Sequence, residues 1–181
     1  MDFKLLWHVS FEPITQFELR VPAFRVEGED NVTPRICMAE NILDCLNAMP
    51  GGGYAVRGLM CLPPEERILY AYASCENPKN LIEPKELEEK YGVLDALVTK
   101  EHWLLEVPGD IKEIPMLVTG ATTHKAVDSL GNKGVVVDTI DYDVSKVIKH
   151  SMMEHLEKRL PEIFATYDWR EILAGLGGGT D

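Results

Sequence analysis

Histidines and carboxylates are the side chains of this sequence whose proton affinities suit acid–base or electrostatic chemistry, and two of them stand where an apolar run meets a loop. His8 follows Leu5-Leu6-Trp7 and comes just before Val9-Ser10 and a long irregular stretch. A strand end opening into a loop is where a cleft residue sits; the competing reading is a satisfied structural histidine. Glu101 stands at the entry of another apolar run. Period-two alternation puts it on one face with Trp103, Leu105 and Val107, so its carboxylate either lines a cleft or ends a strand in solvent.

The other candidates carry less. His150 and His155 are five apart in a helical pattern and do not share a face, which argues against a helical metal pair. His124 closes Thr119-Gly120-Ala121-Thr122-Thr123, expected to be a polar loop that is either an anion nest or a turn. Gly51-Gly52-Gly53 follows a helical pattern and precedes an expected strand, the reverse of phosphate-loop order, and reads as a helix stop. No GxxxxGK, GxGxxG, HExxH or GxSxG motif is present. Cys37, Cys45, Cys61 and Cys75 form no CxxC pair, so reduced thiols are expected rather than a disulfide framework or a metal site. Arg35 is either a functional cation or a surface arginine, and Tyr54, Tyr70 and Tyr72 either stack on a ligand or fill the core.

These residues need elements to hold them. A first strand is expected over residues 3–9, then a loop over 10–34 whose length marks it as a binding region or a mobile segment. Residues 36–39 form a short apolar run, and Ile42, Cys45, Leu46 and Met49 follow at helical spacing. Residues 54–62 and 67–73 read as two strands of a hairpin around Pro63-Pro64. A helix is expected from Pro84 to Tyr91, stopped by Gly92, then strands at 103–107, 114–118 and 135–140. A long helix over 144–164 closes the pattern. The expected core comprises Leu5, Ile36, Met38, Ile42, Leu46, Val56, Leu69, Leu104, Val118, Val136, Ile148, Leu156 and Leu160.

The order of elements is that of an α+β protein, a single domain over 1–174 with a flexible glycine-rich tail at 175–181. A hydrophobic fraction of 45% over 181 residues closes a core without staples, and no apolar run approaches a membrane span. A soluble cytoplasmic protein is expected. With 18 Lys and Arg against 30 Asp and Glu, the net charge of −12 repels phosphate backbones, so general nucleic-acid binding is not expected.

Taken together, the opening Leu6-Trp7-His8-Val9-Ser10, the later Arg35-Ile36-Cys37-Met38-Ala39 with its helix, and a late Glu-aromatic-apolar strand ending in Val107-Pro108 resemble the ADP-ribosyltransferase superfamily. The closer likeness is to its branch with a histidine in the first strand and a glutamate in a late one, over about residues 3–120. The resemblance implies a curved mixed sheet gripping NAD as substrate. It further implies that His8 and Glu101 act on the nicotinamide ribose, with Glu101 stabilising an oxocarbenium-like charge, and that His8, Ser10, Arg35 and Tyr72 bind NAD, Arg35 at the pyrophosphate. The implied activity is ADP-ribosyl transfer to an unknown macromolecular acceptor, or NAD cleavage. The reading from a different class is a non-catalytic acidic interaction protein, such as a phage or mobile-element accessory protein, that binds a macromolecular partner.

Overall fold

The computed structural model describes residues 3–24, 28–127 and 133–144. The helix expected over 144–164, beyond its first residue, and the tail at 175–181 fall outside them, as does the boundary at 174. The described chain is α+β. Its strands are β1 (Lys4–Ser10), β2 (Ile36–Ala39), β3 (Ile68–Glu76), β4 (Leu81–Ile82), β5 (Glu101–Leu104), β6 (Lys112–Val127) and β7 (Lys133–Asp143), and its helices are α1 (Ile42–Ala48), α2 (Gly52–Met60), α3 (Pro84–Tyr91) and α4 (Ala96–Thr99). The strands form one seven-stranded sheet in the order β4-β5-β2-β1-β3-β6-β7. Every described pairing is antiparallel, which corrects the expected mixed sheet. The long loop joins β1 to β2, and helical segments lie between β2 and β3, β3 and β4, and β4 and β5.

Helix α1 packs on both β1 and β7, strands that β3 and β6 separate in the sheet. Trp7, Val9, Leu69, Ala71, Met116 and Val118 are buried in the sheet, with Ile42, Cys45 and Leu46 of α1 and Val56 of α2 buried on the helices. At the far strand the Asn47 side chain donates to the Val137 carbonyl at 3.0 Å and accepts the Val137 N–H at 2.9 Å. A second cluster joins Leu6, Ile36, Met38, Leu81 and Leu104 to Phe17 and Leu19 of the long loop. That loop is therefore fastened down; Arg20 and Arg35 also exchange two backbone hydrogen bonds, of 3.4 and 3.0 Å.

Residues 54–62, expected as a strand, are helical through Met60 and belong to α2 up to there, with Cys61 capping its end. Gly51 takes a left-handed φ of 77°, so the glycine run that ends α1 also starts a new helix. The buried residues Gly52, Gly53, Val56 and Leu59 follow the helical period, and a Cβ on Gly53 would lie 2.0 Å from the Val135 carbonyl oxygen. Residues 119–124, expected as a polar loop, are strand: β6 runs to Val127, and His124 pairs with Val136 across β7. Helix α3 has the predicted bounds, with Gly92 left-handed at its end. Of the expected core, Ile36, Met38, Ile42, Leu46, Val56, Leu69, Leu104 and Val118 are buried, Leu5 and Val136 are half-buried, and Ile148, Leu156 and Leu160 lie outside the described residues. Among the described residues no helix is long and apolar enough to cross a membrane.

Candidate functional site

Strand register decides which side chains can meet. Directly opposed residues of antiparallel strands point to the same face, and neighbours along a strand to opposite faces. Trp7 opposes Ala39, and Ala39 opposes Glu101, so these three share a face. His8 follows Trp7 and lies on the other face, opposite Tyr72 on β3. The expected site residues thus divide into two groups with the sheet between them: His8, Ser10 and Tyr72 on one side, Glu101 and Arg35 on the other.

The first group lies under the long loop. His8 Nδ1–H donates to the Cys37 carbonyl at 2.8 Å, which leaves the lone pair on Nε2, and Nε2 has no hydrogen-bond partner among the described residues. Burial, partly offset by that hydrogen bond, holds the imidazole below its ordinary pKa and hence neutral near pH 7. Phe17 meets it edge-on with ring centroids 5.5 Å apart, and the Tyr72 ring lies at 6.3 Å. The Tyr72 hydroxyl accepts the Ile14 N–H at 2.6 Å and is raised to about 12, chiefly by burial and also by Glu113 beside it. Ser10 opposes Tyr70, and its hydroxyl accepts the Glu12 N–H at 3.2 Å. This side offers a neutral base and hydrogen-bond acceptor among aromatic rings.

The second group is a buried charge cluster. Only 6% exposed, Glu101 accepts the Trp103 indole N–H at 2.7 Å, and the Cys37 thiol is its other neighbour. Burial raises the carboxyl to about 7, against the opposing pull of those two donors. Arg35, buried to 2% exposure, lies over the Trp103 ring with its guanidinium carbon 3.6 Å from the centroid. It pairs with Glu29 and, at 3.4 Å, with Asp30, and donates to the carbonyls of Asp30 and Thr33 at 3.3 and 3.0 Å. Burial, followed by the Glu101 carboxylate, pushes the Cys37 thiol well up, so it is no nucleophile. Arg35 ties loop residues 29, 30 and 33 to Trp103 of β5.

Sequence reasoning missed the partners of both groups. The acidic pair Glu29-Asp30 shortly before Arg35 was the available signal for a buried ion cluster. His102 was also missed: it is fully buried, its Nδ1–H donates to the Lys100 carbonyl at 2.8 Å, and its Nε2 accepts from Lys4 at 2.8 Å. Lys4 also donates to Glu83 at 3.0 Å.

No family model matches this chain, and neither a curated protein nor a solved structure is significantly similar to it.

Proposed function

We propose that this protein is a non-catalytic binding module that engages a macromolecular partner of basic character. The observation that carries the reading is that His8 and Glu101 lie on opposite faces of the sheet, so a ribose held by one is out of reach of the other. Glu101 is spent on the Trp103 indole in a closed cluster, where it cannot meet charge developing on a substrate. The excess of 12 negative charges favours encounter with a positive surface and disfavours a phosphate backbone. Leu94, Leu97 and Val98, at and beside α4, are more than half exposed and supply apolar area for such a contact.

A second reading keeps NAD. His8, Ser10 and Tyr72 share one face, and the free Nε2 of His8 suits a ribose hydroxyl, which favours an ADP-ribosyltransferase-like fold that binds NAD or transfers ADP-ribose by another carboxylate. Incubation of the purified protein with NAD, following nicotinamide by chromatography and the melting temperature in parallel, separates the two. The binding-module reading expects no nicotinamide and no stabilisation. Nicotinamide release overturns it, and stabilisation without release moves the assignment to an inactive NAD-binding domain. Crosslinking in an extract of the source cells should then recover one basic partner, with an association that weakens as salt rises.

A further inference from the structure

At the end of the sheet where β1 leaves and β3 enters, an open cleft of about 440 Å³ lies between α2 and the start of the long loop. Its volume falls within the range of about 300–1,000 Å³ that ligand pockets occupy. Leu59 of α2, Ile68 and Tyr70 of β3, and Phe11 just past β1 give it apolar and aromatic walls, and Leu62, 41% exposed, forms part of its lip. Two carboxylates complete the lining: Glu12 from the loop and Glu66 from the turn that precedes β3. Among the described residues no lysine or arginine lines it. The nearest basic residue in sequence, Arg67, is turned to the Leu62 carbonyl, to which its Nε–H donates at 2.9 Å. Among the described residues neither Glu12 nor Glu66 makes an ion pair, and both are exposed. The field of Glu12 is felt inside the cleft: after burial, Glu113 and Glu12 hold the Tyr70 hydroxyl above its ordinary range.

We propose that this cleft receives a basic-and-apolar segment of the partner protein, an arginine or lysine between the Glu12 and Glu66 carboxylates with a neighbouring aliphatic side chain against Phe11, Leu59 and Ile68. The inference rests on the binding-module reading and names the part of the surface that reading would use. Charge complementarity selects the occupant. A second copy of this chain brings a net charge of −12 and is repelled, and a nucleic acid brings phosphates to two unpaired carboxylates. Apolar walls beside paired anions suit a long basic side chain, whose methylenes pack while its charged head stays at the wet rim.

The probe is the blocked tripeptide acetyl-Leu-Arg-Leu-amide, titrated into the intact protein at low ionic strength while backbone amide shifts are followed by NMR. Shifts should concentrate at Leu59, Leu62, Ile68 and Tyr70. The double variant E12Q/E66Q should weaken binding about tenfold, the combined effect of two rim charges, with an unchanged melting temperature because both residues are exposed. Acetyl-Leu-Gln-Leu-amide should bind weakly and alike to both proteins. Absence of shifts around the cleft overturns the proposal, as does equal affinity of the arginine peptide for wild type and double variant. Salt-sensitive binding that maps elsewhere removes this cleft but leaves the basic-partner reading standing, whereas NAD turnover removes that reading whatever the cleft does.

Discussion

The Glu101 carboxylate and the Trp103 indole, two residues apart on one face of β5, are joined by a hydrogen bond of 2.7 Å in a nearly closed interior. The indole and the Cys37 thiol do not replace the water a carboxylate gives up, and the raised proton affinity of Glu101 reflects the shortfall.

Stability should therefore fall as Glu101 ionises. Its folded pKa of about 7 exceeds its ordinary 4.5, so the native state holds a proton that the unfolded chain has released. The penalty is absent below about pH 4.5, grows between the two values and is complete above pH 7, at roughly 3 kcal/mol. Glu101→Gln keeps the acceptor for Trp103 and loses the charge, so urea unfolding should show the variant gaining on wild type from pH 5 to pH 8. A constant difference across that range would refute the assignment.

His8 should contribute a slope of opposite sign. Its folded pKa is depressed by burial, so below about pH 6.5 the unfolded chain takes a proton that the native imidazole resists, and stability falls with acid. His8→Gln, which keeps a donor for the Cys37 carbonyl, should flatten the stability curve between pH 7 and pH 5. An NMR titration that placed the His8 pKa above 6.5 would sink this account.

Arg35 is expected to be the costliest single charge to remove. Arg35→Met preserves much of the volume over Trp103 but strands Glu29 and Asp30 beside a buried strand, and a loss of about 3–5 kcal/mol is expected in denaturant unfolding. Arg35→Lys should recover only part of it, because an ammonium has neither the planar fork nor the flat face. A loss below about 1 kcal/mol would show that the cluster is solvated.

Two glycines of α2 should respond in opposite directions to alanine. At Gly53 the new Cβ would stand 2.0 Å from the Val135 carbonyl oxygen, where strand backbone must move, so Gly53→Ala should cost several degrees of melting temperature. At Gly58 nothing among the described residues lies within 4 Å, and Gly58→Ala should add about 0.5–1 kcal/mol by restricting the unfolded chain. Equal effects would mean that α2 does not pack on β7 through its backbone.

Local punctuation was what the sequence conveyed best. Pro84 and Gly92 bracket α3 because proline fixes its own φ and glycine admits the left-handed turn, whatever the rest of the fold. The three glycines misled because a helix stop and a helix start use the same residue, and only Val135 on a distant strand explains why Gly53 must be bare. Residues 119–124 hid their strand because that part of β6 is largely exposed, without the one-sided burial that produces period-two alternation. The pairing of Glu101 with Trp103 on one face was legible from their spacing. Whether His8 joined them was not, since that depends on the register of β1 against β2 and of β2 against β5, fixed by pairings between segments distant in the chain.

The Asn47 amide at Val137 has a consequence for the protein's life in a crowded solution. Among the described residues β7 is the last strand of the sheet, and its Gly134-Val135-Val136-Val137 run is the kind of segment onto which a stray strand readily adds. By taking both the N–H and the carbonyl of Val137, one side chain imitates the backbone of a neighbour at one position within the strand. Those two groups are thereby withdrawn from an added strand, and at the other margin of the described sheet β4 offers only two residues to pair with.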